Sequence, residues 1–306
     1  MDKYFSKPIL VALFWVAAVA ALFFPLLYGR VLLPTDSDLN VYYYPVFDFF
    51  AKALQSGQSF LWMPHIFTGF PVYLSQVGGF LDPVNILLGK LFLTPGLVEL
   101  RVILDVILVY LFSYLLGKAL GLSNFASALI GPSYIIGIDW LYLSNPLIAN
   151  SLFLLPLLLW VTVRTTNVSS VREKIKYSVL GGIGLGWAVL SGYTQVVFYA
   201  LVLTGMYVIL YSILNRVGVK RSLELCGWFG LLCAIGFILG LPQILPALKF
   251  LHLTSRADVA NYTQATLKSI SPGDFLLFFL PPNFYFPYVT SGRFPLYVGP
   301  VWAGLG

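Results

Sequence analysis

Charged residues are scarce in this 306-residue chain: they make up 10% of it, whereas hydrophobic residues make up 59%. The mean hydropathy is correspondingly high, at +0.87. A soluble domain typically carries about 25% charged residues, and no fold in water could bury so much apolar side chain. The shortage of charge therefore excludes a soluble globular protein and predicts one that resides in lipid.

Cysteine and histidine are also sparse, with two residues of each. Cys226 and Cys233 fall within one predicted helix, where their spacing separates the α-carbons by about 10 Å, too far for a disulfide. His65 and His252 fall in different predicted external segments, and no CxxC or HExxH motif occurs. A built-in zinc site is therefore not expected.

Long apolar runs are what the sequence has in abundance. At about 1.5 Å per residue, the first of seven such runs is long enough to cross a hydrocarbon core of about 30 Å, and the other six are further candidate spans. The first run resembles a signal peptide, but it lacks a small-residue cleavage site before Arg30 and further spans follow it. The predicted spans are 8–28, 102–120, 123–142, 146–163, 177–192, 194–214 and 225–250.

Basic residues are unevenly distributed between the two sides of this predicted bundle. With the N-terminus in the cytoplasm, the cytoplasmic segments hold ten basic and three acidic residues, whereas the longer remaining segments hold eight and nine. This bias follows the positive-inside rule and predicts a multi-pass protein of the cytoplasmic membrane with a cytoplasmic N-terminus. The net charge of +6 thus reflects topology, and no nucleic-acid partner is implied. The ten basic residues are Lys3, Lys7, Lys118, Arg164, Arg172, Lys174, Lys176, Arg216, Lys220 and Arg221.

Two predicted external regions, 29–100 and 251–296, are much longer than the cytoplasmic connections. The first contains an amphipathic stretch at 46–54 that could lie along the outer leaflet. No soluble domain, low-complexity tract or internal repeat is evident. We expect one all-α transmembrane domain over 1–306, truncated at its C-terminus because a new apolar run begins at Tyr297.

The first external region opens with two carboxylates, Asp36 and Asp38, just after the first span. A carboxylate there could accept a proton from a hydroxyl substrate while a lipid-borne partner approaches from the bilayer. Alternatively, both aspartates cap or turn the chain into the following amphipathic helix. The residues alone leave these two interpretations open.

The same region carries an ordered set of motifs: an Asp ahead of a Tyr-Pro, a Gly before a Trp-x-Pro, a Gly-x-Pro and a Pro-x-Asn. In order and spacing they resemble the first external loop of bacterial YfhO-like membrane proteins, which are placed in the GT-C glycosyltransferase superfamily. The motif residues are Asp38 with Tyr44 and Pro45, Gly57 with Trp62 and Pro64, Gly69 with Pro71, and Pro83 with Asn85.

Two later stretches extend the resemblance over nearly the whole chain. "GLGWAVLSGYTQVVFYAL" is similar to the family's Gly-His-Pro-Gln segment: Gly192 and Gln195 match, but Tyr193 and Thr194 replace the His and Pro. Any role of the family's histidine therefore has no counterpart here. "TSRADVANYTQATLKSISPGDFLLFFLPPNFY" is similar to the family's run of Ser-x-Arg, Ser-x-x-Pro and Pro-x-x-Phe.

The resemblance implies a GT-C fold, with interfacial helices in the first external loop, and a sugar donor linked to polyprenyl phosphate. It also implies that Asp38 serves as base or metal ligand. Asp36 would assist it, or bind a divalent ion such as Mg²⁺ or Mn²⁺ with it; no other cofactor is expected. The acceptor, whether glycan, lipid or protein, and the sugar are left open, and membrane lipids surround the site.

Residues that could bind the substrate follow from the same chemistry. A departing lipid phosphate favours guanidinium groups, which Arg101, Arg256 and Arg293 could supply, unless they are ordinary arginines that snorkel to the membrane interface. His65 could contact the acceptor or the phosphate, or be an exposed loop histidine. The motif segments add three further candidates for substrate contact: Trp62, Gln76 and Gln195.

Two spacings within predicted helices make further predictions. Arg101 and Asp105 are four residues apart and are expected to pair along one helix face, either as a functional acid in the membrane or as a structural ion pair. Small residues four apart permit close approach of helices. Such pairs are Gly182 with Gly186 and Gly236 with Gly240.

Two other classes of function compete with glycosyl transfer. A transporter or flippase of lipid-linked glycans would share the many helices, but such carriers usually show internal repeats and polar groups near the membrane midplane. Asp105 is the charged candidate within a span, and no repeat is found. The third class is a non-catalytic scaffold that binds a glycan or envelope partner.

Overall fold

The computed structural model describes residues 8–22, 42–66, 68–74, 78–94, 96–137 and 149–251. These residues form nine α-helices and one 3-10 helix, Val72–Leu74, with no β-strand among them. The all-α class is thus confirmed for the described part. The helices are α1 Pro8–Leu22, α2 Tyr44–Gln55, α3 Pro83–Leu91, α4 Gly96–Ala119, α5 Asn124–Ile136, α6 Leu154–Asn167, α7 Val171–Leu190, α8 Thr194–Leu214 and α9 Val219–Leu251.

Three of these helices, α4, α8 and α9, are long and apolar enough to cross a membrane. Helix α8 coincides with the predicted span 194–214. Helix α4 begins at Gly96, ahead of the predicted span 102–120, and α9 begins at Val219, ahead of the predicted span 225–250. The other four predicted spans overlap α1, α5, α6 and α7, whose described lengths are 13 to 20 residues. Helical structure is confirmed over those described lengths, and a total of seven spans stays a prediction.

The helical bundle is built around α6, which is buried on most sides. Leu154, Leu157, Leu158 and Val161 of α6 are each at most 2% exposed. They form a continuous apolar core with side chains of α4, α7 and α8. Helix α1 joins the bundle through Trp15, whose indole N–H donates to the carbonyl of Ala128 in α5 at 3.3 Å.

Close contact between α7 and α9 depends on glycines. A β-carbon added at Gly182 would lie 2.6 Å from Cβ of Ile235, and one added at Gly236 would lie 2.5 Å from Cγ of Leu185. Side chains at these positions would therefore force the helices apart. The close approach predicted from the small-residue spacing is confirmed, and Gly186 and Gly240 contribute in the same way.

The described residues between 42 and 94, which we call the platform, form a second apolar core together with Leu97 and Val98 of α4. In α2, Val46, Phe47 and Phe50 recur on one helix face and are at most 1% exposed. Pro45 occupies the first turn of α2, where its missing N–H costs no hydrogen bond. The amphipathic helix predicted at 46–54 is confirmed, but its apolar face packs inside the platform core.

The bundle has two chemically different ends. The platform lies at the end where α4 and α6 begin and α7 finishes; we call this the platform end. At the opposite end, Arg221 of α9 donates to the carbonyl of Thr166 at 3.2 Å, and Lys174 of α7 pairs with Glu224 at 2.6 Å. Polar contacts thus join α9 to α6 and to α7 at the end opposite the platform.

Candidate functional site

The site begins with Asp82, which caps the start of α3. Its Oδ1 accepts hydrogen bonds from the backbone N–H groups of Val84, at 2.7 Å, and Asn85, at 3.3 Å. Pro83 follows at the first helical position, where proline is favoured. Asp-Pro-x-Asn is therefore a local helix start, and it aims the carboxylate of Asp82 at the bundle.

Two side chains near the end of α7 bind the same carboxylate. Trp187 donates its indole N–H to Oδ1 of Asp82 at 3.0 Å, and the Ser191 hydroxyl donates to Oδ2 at 2.6 Å. Asp82 is 0% exposed. The platform is therefore attached to α7 through a buried carboxylate that accepts several hydrogen bonds.

Arg101 of α4 completes the attachment. Its Nη2 lies 3.0 Å from Oδ2 of Asp82, and its Nε donates to Oδ1 of Asn150 at 3.0 Å. The guanidinium also lies over the ring of Trp187, 5.2 Å from the ring centre. With 1% of its surface exposed, Arg101 does not snorkel to an interface, so that interpretation of this residue is wrong.

The predicted pairing of Arg101 with Asp105 is confirmed at 3.3 Å between Nη2 and Oδ1. The contact meets the distance for an ion pair, but neither oxygen of Asp105 accepts a hydrogen bond. We call these three residues the Asp82–Arg101–Asp105 cluster. Beside the cluster, Nη1 of Arg101, Nδ2 of Asn150 and Oγ of Ser151 are also buried without a hydrogen-bond partner among the described residues.

The cluster can do two things chemically. Arg101 neutralises Asp82 and holds it in place, and the remaining carboxylate, Asp105, keeps unused hydrogen-bonding capacity in a dry environment. Among the described residues the Arg101 guanidinium is buried, its Nε and Nη2 contact Asn150, Asp82 and Asp105, and only Nη1 has no hydrogen-bond partner. The geometry thus favours a positioning role for Arg101.

The platform backbone also approaches α7 closely at Gly79. Gly79 has a φ of +61°, and an added β-carbon would lie 2.8 Å from the carbonyl oxygen of Ser191. Asn85 donates its side-chain N–H to the Gly79 carbonyl at 3.0 Å. The Pro-x-Asn motif therefore fixes the loop that meets the end of α7.

Trp62 and His65 lie on the surface of the platform. Residues Met63 and Phe70 exchange two backbone hydrogen bonds of 2.8 Å, which close a small hairpin beside Trp62. Gly69, at a φ of +117°, leaves room for the indole, which remains 55% exposed. His65 is exposed and contacts Phe49 edge to face at 6.1 Å. Both side chains are thus accessible to a substrate.

Gln195 lies at the start of α8, also at the platform end. It accepts a hydrogen bond from the Tyr193 hydroxyl at 3.1 Å and donates to the Tyr199 hydroxyl at 2.9 Å. Tyr193 packs against the platform core. The motif segment that contains Gln195 is therefore adjacent to the platform, and Gln195 is exposed.

Tyr44, the motif residue that follows Asp38, is partly buried beside Glu99. Burial, and to a lesser degree the charge of Glu99, raises the pKa of Tyr44. Its hydroxyl has no hydrogen-bond partner within the described residues. The phenol therefore stays protonated at neutral pH and cannot act as a base.

The remaining sequence-predicted residues lie outside the described part of the chain: Asp36, Asp38, Gln76, Arg256 and Arg293. Among the residues that are described, no group of three or more His, Cys, Asp or Glu side chains could hold a metal ion. The structure thus brings together Arg101 and Asp105, and places Trp62, His65 and Gln195 on the accessible surface at the platform end.

Sequence reasoning missed Asp82 of the cluster and three residues that hydrogen-bond to the cluster: Asn150, Trp187 and Ser191. The Asp-Pro pair of a helix start was a usable signal for Asp82 as a cap. No local sequence pattern indicates that Asn150, Trp187 and Ser191 belong to the site. No family model, curated protein or solved structure matches the chain. The resemblance to YfhO-like proteins therefore stays a prediction from the sequence motifs.

Proposed function

We propose that the protein is a membrane glycosyltransferase of GT-C type. It moves a sugar from a polyprenyl-phosphate donor to an acceptor at the outer face of the cytoplasmic membrane. The observation that carries the proposal is the buried Asp82–Arg101 ion pair of 3.0 Å, which fixes the motif-bearing platform to the bundle. A reaction between a lipid-borne donor and an external acceptor needs such a rigid surface at the membrane boundary.

The distribution of charge supports an external platform. The end of the bundle opposite the platform holds basic side chains, including Lys118, Arg164, Lys174 and Arg221. Basic residues favour the cytoplasmic side, so the platform end faces outward. The cytoplasmic N-terminus belongs to the same proposal.

The chemistry requires a base for the acceptor hydroxyl and positive charge for the departing lipid phosphate. We assign the base to Asp38, with Asp36 assisting or sharing a divalent ion with it. Arg256 and Arg293 are the proposed phosphate ligands. Arg101 holds the platform in position through its ion pair with Asp82.

The accessible side chains at the platform end supply the proposed substrate surface. Trp62 is exposed and held by the hairpin beside Gly69, so its ring could cover the apolar face of a sugar. His65 and Gln195 add donors and acceptors for hydroxyl groups. Gln76 completes the proposed set of binding residues.

The test is sugar transfer in membranes that contain the full-length protein, with a panel of radiolabelled polyprenyl-phosphate sugars. Wild type, Asp38→Asn and Asp36→Asn are compared at equal expression, with Asp48→Asn as a control at an exposed carboxylate of α2. Transfer that is lost in Asp38→Asn and retained in the control supports the proposal. Equal transfer in all variants contradicts the assignment of the base.

A transporter of lipid-linked glycans is the second candidate, and one observation favours it. Asp105 lies nine residues into α4, about 14 Å along a candidate membrane-spanning helix, and is buried. Ionisable groups at such depth often serve transport. Movement of labelled donor across proteoliposomes without sugar transfer would favour this candidate, and a folded protein with neither activity would favour a scaffold.

A further inference from the structure

The two carboxylates of the cluster have opposite surroundings. Asp82 accepts hydrogen bonds from two backbone N–H groups, from Trp187 and from Ser191, and its Oδ2 lies 3.0 Å from Arg101. Asp105 is equally buried, at 1% exposure, yet neither of its oxygens accepts a hydrogen bond. A negative charge on Asp82 is therefore stabilised by many partners, whereas one on Asp105 has only the Arg101 guanidinium, at 3.3 Å.

The charges of the cluster do not balance. The charged groups that act on Asp105 are Arg101, on the same helix, and Asp82, at the start of α3. From the other elements that meet at the cluster, α7 contributes the uncharged Trp187 and Ser191, and Asn150 is also uncharged. One guanidinium thus faces two carboxylates within the described part of the chain. A second buried negative charge is costly without its own partner.

A ligand that balances the second negative charge of the cluster must be small and positively charged. A metal ion needs several oxygen or nitrogen ligands, and no suitable group of three acidic, histidine or cysteine side chains occurs in the described ranges. A proton needs only one oxygen and turns the carboxylate into a group that both donates and accepts. Because Oδ1 of Asp105 faces Nη2 of Arg101 at 3.3 Å, Oδ2 is the oxygen free to take a proton.

We propose that Asp105 is a proton-binding site: Oδ2 takes one proton from solvent, and the neutral carboxyl leaves Arg101 paired with Asp82. An O–H bond forms at Oδ2 as one O–H bond of a solvent hydronium ion breaks, and a water molecule is released. Proton release returns a negative charge to Asp105, which then competes with Asp82 for Arg101. The proposal does not depend on sugar transfer, since it concerns the ion cluster alone.

Infrared spectroscopy of the full-length protein in lipid nanodiscs tests this site, because a protonated carboxyl group has its own C=O band. Wild type is compared with Asp105→Asn, which keeps the shape of the side chain but cannot titrate, and with Asp48→Asn at an exposed carboxylate as a control. We expect the band at neutral pH in wild type and in the control, and its complete loss in Asp105→Asn. An unchanged band in Asp105→Asn would overturn the proposal.

A second measurement needs no variant, so it remains decisive if Asp105→Asn fails to fold. In wild type with ¹³C-labelled aspartate carboxyl groups, the band at neutral pH must shift to the position expected for the label. At fixed pH, replacing choline chloride by sodium chloride must leave it unchanged. Absence of any protonated aspartate, or loss of the band in sodium, would overturn the proposal; in the second case the ligand is the metal ion.

Discussion

Asp82 of the platform and Arg101 of α4 form an ion pair of 3.0 Å in which the side chains are 0% and 1% exposed. Breaking such a pair from one side leaves a buried charge without its partner. The pair also connects two separate apolar cores, so its loss affects the attachment of the platform as well as local hydrogen bonds.

Asp82→Ala is expected to lower the free energy of unfolding by about 3–5 kcal/mol, because the buried pair with Arg101 is broken and α3 loses its cap. Denaturant unfolding in detergent micelles, followed by circular dichroism, measures the change. The matched control is Asp48→Ala, which breaks an exposed pair with Lys52 and should cost less than about 1 kcal/mol. Equal stability of the two variants would show that the buried pair does not hold the platform.

Helix contact between α7 and α9 gives a second prediction. Gly236→Ala places a β-carbon 2.5 Å from Cγ of Leu185 and should destabilise the protein by about 1–3 kcal/mol. Gly230→Ala in the same helix meets nothing within 4 Å, so it should be neutral or stabilise by up to about 1 kcal/mol. Melting temperatures of the two variants distinguish packing from helix propensity, and a stable Gly236→Ala would contradict the close approach.

The hairpin beside Trp62 gives a third prediction. Gly69 and Gly57 both have positive φ, at +117° and +71°, so alanine is strained at either position. Only at Gly69 does the added β-carbon also meet the Trp62 ring, whereas at Gly57 it meets nothing within 4 Å. Gly69→Ala should therefore be the more destabilising change.

A double-mutant cycle isolates that contact. In a Trp62→Ala background the ring is gone, so Gly69→Ala should cost less than it does in wild type, by about 1 kcal/mol or more. The cost of Gly57→Ala should be the same in both backgrounds. Equal costs of Gly69→Ala with and without the Trp62 ring would show that the indole does not depend on Gly69 for its position.

Much of the fold could be predicted from local sequence pattern. Apolar run length located α8 to the residue, and the Gly182 and Gly236 spacings correctly predicted close helix contact. The spacing of Arg101 and Asp105 predicted their pairing, since residues four apart lie on one helix face. In each case the information lies within a single helix.

The contacts of Asp82 and Arg101 with residues distant in sequence depend on tertiary packing and could not be predicted. Ser191 donates to Asp82 across 109 residues of sequence, and nothing near either residue indicates the partner. The contact of Arg101 with Asp82 also depends on the docked platform, so the sequence left Arg101 open between a phosphate ligand and an arginine that reaches the interface. The Asp-Pro pair indicates a cap but not what the cap binds.

The orientation of the platform gives a fourth prediction. In a background with Cys226 and Cys233 replaced by alanine, a membrane-impermeant maleimide added to intact cells should label Gln58→Cys, which is exposed on the platform. Asn215→Cys, in the turn between α8 and α9 at the opposite end, should be labelled only after the membrane is permeabilised. The reverse pattern would place the platform in the cytoplasm and contradict the proposed outer-face reaction.

The most direct test of the account is the initial rate of sugar transfer by the purified full-length protein in proteoliposomes that contain the donor found active in membranes. Removal of a general base typically lowers a rate by about 10²–10⁴-fold, so Asp38→Asn should transfer at least about 100-fold more slowly than wild type. Asp48→Asn should match wild type. Wild-type protein that is folded and transfers no sugar from any polyprenyl-phosphate donor, or an Asp38→Asn variant as fast as wild type, would contradict the account.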